Sequence, residues 1–346
     1  MQSTNLSYRI SDRTLCDLAS LERNTAILDQ NEIVNRAAYR ISSEAQFEDL
    51  FAINHLLGIG LTLGEIKQIS IGKGVATKET QILFNIRQVF DFVRNNFKKD
   101  QLVFNFHFIQ HVIKLLQTNM LDIWEIGKIR LGDEITDKAF ELDNQHYATK
   151  DISNMLADVV LWLENEEEVH PVVKATVFMM FLNGTSPFMG VNFVSSIVFF
   201  RLILEKHGYG NHFNIPLFKI FDNPKYDIKN ILNQSLDQQS SSGITDVLSY
   251  VSQELNTLIA EYKTRFIQFD YFDIKSDIDK LDLNERQTKL LKLLQHKVSI
   301  KRREYIKLFK VAPMTGYRDL NYLVHKRLLV ISGQGKSTTY TLITKI

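Results

Sequence analysis

Cysteine is nearly absent from the 346 residues: Cys16 is alone, so no intramolecular disulfide can form, and no CxxC pair exists for zinc or thiol redox chemistry. The opening residues lack a basic segment followed by an apolar stretch, so no signal peptide is expected and the cytoplasm is the expected compartment. Heptad runs, internal repeats and the G-x-S-x-G nucleophile elbow are also missing. The longest stretch without charge, Ala175 to Phe200, is broken in its middle by Asn183-Gly184-Thr185-Ser186-Pro187. Each half is far short of the roughly twenty residues a membrane span needs, so two buried helices with a polar turn are expected and no membrane partner. What remains is ordinary globular composition, 45% hydrophobic, 23% charged and 11% aromatic, long enough for two to three domains.

A net charge of +1 hides a division. Residues 284 to 346 hold fourteen Lys and Arg against three acids, a balance of +11, which leaves −10 for residues 1 to 283. A basic tail on an acidic body points to a polyanion-binding module.

Apolar residues recur at helical spacing over most of the chain. Helices are expected over Leu15 to Ala38, Glu44 to Leu57, Lys78 to Phe97, Phe104 to Gln117 and Asp151 to Asn165, with another starting at His170-Pro171, where proline suits a first turn. Lys128 to Thr136 alternates like a strand or hairpin. Loops are expected at Asp237 to Gly243 and in an acid-rich linker, Asp270 to Asp282. His107 and His111 stand at i, i+4, but no acid at useful spacing completes a metal site, and none is expected. His170, His207 and His212 fall near helix ends or turns.

The basic tail has the most specific local pattern. Asn284 caps a helix carrying Leu290, Leu291, Leu293 and Leu294; a second helix presents Tyr305, Leu308 and Phe309; a third runs from Gly316 to Lys326 with Leu320, Leu323 and Val324 inward. Leu328 to Ile331 and Thr338 to Leu342 flank a glycine-rich turn containing Lys336. This order, with Thr315-Gly316-Tyr317-Arg318-Asp319-Leu320 and Gly333-Gln334-Gly335-Lys336-Ser337-Thr338, resembles the winged-helix domains of bacterial regulators. The resemblance implies DNA as partner, with Thr315, Tyr317, Arg318 and Asn321 as groove candidates and Lys301, Arg302, Arg303 and Lys336 as backbone candidates. Two alternatives stay open: a protein-docking or dimer module with solvated basic residues, and an Arg318 held structurally by a neighbouring carboxylate.

Ser186-Pro187-Phe188-Met189-Gly190-Val191-Asn192-Phe193-Val194, between two apolar helices, resembles the active-site signature of the Fic (Fido) family, H-P-F-x-[D/E]-G-N-G-R-x-x-R. Support comes from Gly127-Lys128-Ile129-Arg130, similar to the segment before the family's flap, and from Asn223 to Tyr226 and Gly243 to Asp246 after the motif helix. The resemblance covers about residues 30 to 346 and implies a mainly α fold: a Fic-like helical core with a short β-hairpin flap, then a winged helix-turn-helix domain. Boundaries are expected at 1–97 for an N-terminal helical region, 98–268 for the core, 269–283 for a linker and 284–346 for the winged helix. In the family, ATP binds over the motif helix and a target hydroxyl attacks its α-phosphate. Here Ser186 stands in the slot of the general-base histidine, Gly190 in that of the metal-binding acid, and Val194 and Ile197 in those of the phosphate-binding arginines. Val191 and Phe193 replace glycines; Pro187, Phe188 and Asn192 persist. A hydroxyl does not titrate near neutrality, and general-base catalysis contributes roughly 10² to 10⁴ in rate. The inhibitory helix of many members ends in S-x-x-x-E-[G/N]; Leu57 fills the glutamate slot before Gly58.

The expectation is therefore a Fic-fold regulatory or binding module that has lost AMP transfer, with no catalytic residues, no cofactor, DNA bound through its C-terminal domain, and a protein partner or second copy meeting the Fic core. The alternative is a nucleotide-binding Fic enzyme with altered or weak nucleotidyl or phosphoryl transfer, using ATP with Mg²⁺ and Asn192 as a phosphate ligand.

Overall fold

The computed structural model describes residues 8–29, 38–74, 76–97, 101–131, 151–237, 242–280, 283–294, 300–326, 328–332 and 338–342. The chain divides into two compact units, residues 1–264 and 265–346. The described part of the first is helical: α1 (Asp12–Asp29), α2 (Ala38–Leu57), α3 (Leu63–Ser70), α4 (Gln81–Asn96), α5 (Phe106–Gln117), α6 (Ile152–Asn165), α7 (Pro171–Thr185), α8 (Asn192–Lys206), a 3-10 turn (Leu217–Phe221), α9 (Ile228–Asp237) and the start of α10 (Ser242–Lys280). The strand or hairpin expected at Lys128 to Thr136 is described only as far as Leu131, and residues 132–136 lie outside the described residues.

The charge-free stretch is the α7–α8 hairpin, and no described helix is long and apolar enough to cross a membrane. Every residue of α7 from Val172 and of α8 to Glu205 is buried, so both helices are covered on all sides. Their few polar groups find partners: Asn183 Nδ2 donates to Ser196 Oγ across the hairpin at 2.8 Å, and Lys174 Nζ to the Leu163 carbonyl at 3.3 Å. His170 caps α7 by accepting the Val172 N–H on Nδ1 at 3.2 Å, with Pro171 in the first turn.

One charge is placed deep within this apolar pair. Arg201 on α8 reaches Asp49 of α2 at 2.6 Å and Glu205 at 3.1 Å, all three side chains nearly inaccessible. The rings of Phe90, Phe213 and Phe218 surround the guanidinium at 4.9, 5.2 and 5.4 Å. Phe213 is brought there by an unusual turn in which Asn211, His212 and Phe213 all take positive φ. Each such residue costs about 1–2 kcal/mol. The turn points the Phe213 N–H at Glu205 Oε2, 3.2 Å away. Gly210 faces the same carboxylate so closely that a Cβ would lie 1.8 Å from Oε1.

Three expectations are corrected. The acid-rich linker is helical through Lys280, because isoleucines and aromatics interrupt its aspartates at spacings compatible with a continuous helix. A helix missed in the sequence, α3, is started by Thr62 and Glu65, which form a reciprocal capping box. The helix expected from Glu44 already runs from Ala38, while α1 covers Asp12–Asp29 of the helix expected over Leu15 to Ala38, and residues 30–37 lie outside the described residues.

The second unit contains α11 (Glu285–Leu294), β1 (Ile300–Lys301), α12 (Arg302–Phe309), α13 (Pro313–His325), β2 (Leu329–Ser332) and β3 (Thr339–Leu342). The strands form an antiparallel sheet in the order β1-β3-β2, with Ile300 and Ile331 both opposite Tyr340. Leu290, Leu291, Leu294, Ile300, Tyr305, Leu320, Leu323, Leu328, Leu329 and Tyr340 form its core. The third helix starts at Pro313 instead of Gly316, and Gly316 lies where a Cβ would come within 2.9 Å of Ile306. Close α12–α13 packing thus depends on that glycine.

Candidate functional site: the motif loop and the winged helix

The loop joining α7 to α8 carries the motif residues and turns twice through left-handed backbone, at Ser186 (φ 40°) and Val191 (φ 60°). For a β-branched residue this conformation is a true outlier. Three side chains nevertheless enforce the loop. Arg130 Nε donates to the Ser186 carbonyl at 2.6 Å and Nη2 to the Thr185 carbonyl at 2.7 Å, placing a cation at the C-terminus of α7. The Arg130 N–H donates to the Pro187 carbonyl at 2.9 Å, beside a bridge between Ile129 and Phe188. Gln117 Nε2 donates to the Gly190 carbonyl at 3.1 Å while its Oε1 accepts the Gly127 N–H at 2.7 Å. Asn192 closes the loop on itself: Oδ1 accepts the Phe188 N–H at 2.9 Å and Nδ2 donates to the Phe188 carbonyl at 3.0 Å.

From Ser186 to Val194 only Met189 is even half-exposed. Val191, Phe193, Val194 and Ile197 are at most 1% accessible. Ser186 Oγ donates to the Asn183 carbonyl at 3.3 Å. The structure therefore brings the motif-slot residues together as a packed, internally bonded loop. Both ends of the Asn192 carboxamide are engaged with backbone.

The strain at Val191 has a measurable consequence. Val191→Gly removes about 1–2 kcal/mol of backbone strain and roughly 1.5–3 kcal/mol of side-chain burial, so urea denaturation should place it within about 1 kcal/mol of the parent. Val198→Gly, equally buried but inside α8, loses burial and adds the helix penalty of glycine, and should cost about 3–4 kcal/mol.

The glutamate slot of the N-terminal segment, Leu57, is half-buried at the end of α2. Its neighbour Asn54 is a structural clamp, accepting the Leu61 N–H at 2.9 Å and donating to the Leu61 carbonyl at 3.4 Å. His107 and His111 are exposed, His111 lying 4.4 Å from the Phe92 ring. No group of three potential metal-binding side chains occurs among the described residues.

In the second unit, the α13 residues Gly316, Asp319, Leu320 and Leu323 are buried. At about 100° per residue, Met314, Arg318, Asn321 and His325 are centred on the opposite face, with Thr315 and Tyr317 on its two flanks. Arg318 is exposed and has no hydrogen-bond or ion-pair partner among the described residues. The structurally held arginine is instead Arg286, whose Nε donates to Asp319 Oδ2 at 3.0 Å. Asp319 also accepts Asn284 Nδ2 and the Tyr305 hydroxyl, each at 2.9 Å. Burial raises the Asp319 carboxyl, but the hydrogen bonds from Arg286, Asn284 and Tyr305 outweigh it and hold the group below the usual carboxylate range. Lys301, Arg302 and Arg303 are exposed where β1 meets α12, and Arg302 lies 5.9 Å above the Tyr317 ring. Lys336 lies outside the described residues. Sequence reasoning missed His325 and Met314 on the outward face; continuing the helical period of Arg318 and Asn321 would have found them.

Comparison with known proteins agrees with both halves of this picture. A Fic family protein from Desulfovibrio desulfuricans superposes with a TM-score of 0.63 over 99% of each chain at 16% identity. A Fic domain containing signaling protein from Bacteroides thetaiotaomicron covers 74% of this chain and 96% of its own, with a TM-score of 0.52 and 16% identity. No curated protein matches the chain. Residues 286–334 match the model of the DeoR-like helix-turn-helix domain. The chain thus has the fold of Fic family proteins and carries a DeoR-like helix-turn-helix domain at residues 286–334.

Proposed function

We propose that this protein is a DNA-binding regulator whose Fic-fold body no longer transfers nucleotides. The observation that carries the second half is the motif loop. A nucleotidyl transferase needs a base, a metal-binding carboxylate and cationic clamps opening onto a phosphate site. Here those slots hold Ser186, Gly190, Val194 and Ile197, the hydroxyl is buried against Asn183, and the Asn192 carboxamide closes the loop. ATP with Mg²⁺ does not fit this donor set.

The first half rests on the helix-turn-helix match, the +11 balance of residues 284–346 and the outward face of α13. Arg318 and Asn321 are suited to base edges in the major groove, whereas Lys301, Arg302 and Arg303 offer charge to phosphates. Pairing of two copies through the Fic-fold body would present two recognition helices to a two-fold site, a state that light scattering on the full chain reads directly. The same body is the surface proposed for a protein partner.

Fluorescence anisotropy with a labelled duplex tests the DNA reading. For about four phosphate contacts, affinity should fall roughly a hundredfold between 50 and 200 mM salt. Arg318→Ala should cost about 1–3 kcal/mol on the preferred sequence and much less on random DNA. Failure of the full chain to bind any duplex at low salt would remove this half.

A further inference from the structure

Away from the motif loop, the first unit contains a cleft of about 340 Å³ between the start of α1, one face of α9 and the first turns of α10. We propose that this cleft binds an uncharged, polyhydroxylated ligand the size of one or two sugar rings.

Its volume lies in the roughly 300–1,000 Å³ range of small-molecule sites, but its chemistry is unusual for one. Ile231 is the sole aliphatic residue among the described ones on its walls, and the others are tyrosines, hydroxyls, amides and charged groups. Such a lining cannot be filled by an apolar ligand without stranding polar groups. A ligand that brings many hydroxyls satisfies them.

The walls are fixed before any ligand arrives. Ser11 Oγ and Thr14 Oγ1 are 2.9 Å apart, Thr14 Oγ1 and Ser249 Oγ 3.0 Å apart, so a rail of hydroxyls ties α1 to α10. Arg13 Nη2 donates to Gln253 Oε1 at 2.9 Å. The Tyr250 hydroxyl donates to the Ile220 carbonyl, and Tyr226 meets the Tyr250 ring edge-on at 5.2 Å. Two oriented aromatic rings therefore stand beside the polar rail, and the C–H faces of a sugar ring pack on such surfaces.

The exposed Gln234 carboxamide and Asp246 carboxylate, like the Tyr226 and Ser235 hydroxyls, make no side-chain hydrogen bond to a described residue. Together they offer donors and acceptors suited to vicinal hydroxyls. The formal charges present are Arg13 against Asp17 and Asp246, net negative, which disfavours phosphorylated or carboxylate ligands. A bound cation is a poorer fit, because the cleft has only two carboxylates and no group of three His, Cys, Asp or Glu side chains that could hold a metal occurs among the described residues.

Saturation-transfer difference NMR on the full chain, with ribose, glucose, glucosamine and sorbitol as separate probes and glucose 6-phosphate as the anionic control, tests this. Transfer to at least one uncharged probe is expected, weakened tenfold or more in affinity by Gln234→Ala with Asp246→Ala. Both residues are exposed, so a matching thermal melt of the variant separates lost binding from lost folding. No transfer to any probe at about 10 mM, or equal transfer from parent and double variant, overturns the proposal. Preferred binding of glucose 6-phosphate overturns the uncharged class. The readout is independent of DNA binding, so it stands or falls separately from the proposed function.

Discussion

Replacing Arg201 with methionine is expected to destabilise the first unit by about 3–5 kcal/mol, read by urea denaturation. The side chain pairs with two nearly inaccessible acids, Asp49 and Glu205, and its removal leaves both buried without that ion pair. It also removes the donor to the Ile215 carbonyl at 3.1 Å. One guanidinium serving two acids is an uneven arrangement. Burial pushes the Asp49 carboxyl up to about 7, against the lowering effects of Arg201 and the Phe218 N–H, while Glu205 and Glu48 add to the rise. Glu205 is raised as well, chiefly by burial. The folded state thus retains a proton on Asp49 that the unfolded chain releases near 3.8. Stability from this group is complete below that value and is lost as pH rises through about 7, so between pH 6 and 8 the protein should lose about 1 kcal/mol. Asp49→Asn should flatten that slope and cost less than Arg201→Met, since the amide mimics the protonated acid.

Asp319→Ala is the second large effect, a loss of about 2–4 kcal/mol confined to the second unit together with its DNA affinity. The carboxylate is 6% accessible and joins all three helices: Asn284 and Arg286 from the start of α11, Tyr305 from α12 and its own α13. The Asp319 carbonyl also accepts Gln287 Nε2 at 3.4 Å. Truncation strands a buried tyrosine hydroxyl and removes three hydrogen bonds to a charged acceptor, each of about 1.5–3 kcal/mol before relaxation. A domain this small has little stability to lose. Calorimetry of the full chain should show the transition of the second unit shifted to lower temperature, with that of the first in place. Arg318→Ala should leave both transitions unchanged while weakening DNA binding, because Arg318 has no partner among the described residues.

These two sites also mark the limit of what the sequence discloses. Local signals were legible: Asn284 does cap α11, with Gln287 returning its side chain to the Asn284 N–H at 3.0 Å, and Pro171 does open α7. Two helices do flank the polar segment, but the break lies later than Asn183 to Pro187 suggests: α7 runs through Thr185 and the turn is Ser186 to Val191. Non-local pairings were not legible. Arg201 and Glu205 stand at i, i+4 and suggest a pair, but Asp49 is some 150 residues earlier, and nothing in its spacing assigns it to that guanidinium. The left-handed turn at Asn211 to Phe213 contains no glycine at the positive-φ positions and so has no signature. In the loop after α7, the assignment of Ser186, Gly190 and Val194 to family slots rests on the resemblance alone, and the roles of Arg130, Gln117 and Asn192 as loop clamps emerge only from geometry. For Asp319, the neighbouring Arg318 was the obvious partner by sequence, yet helical phase turns the two in different directions and hands the carboxylate to Arg286.

The most direct test of the central claim is incubation of the purified chain with ATP labelled on its α-phosphate and Mg²⁺, alone and with cell lysate. The proposed loss of base, acid and clamps from the α7–α8 loop predicts no labelled protein above background, including for a Leu57→Ala variant at the proposed inhibitory-helix slot. A labelled band that grows with time and disappears in Asn192→Ala would contradict the account and return the chain to the enzymes.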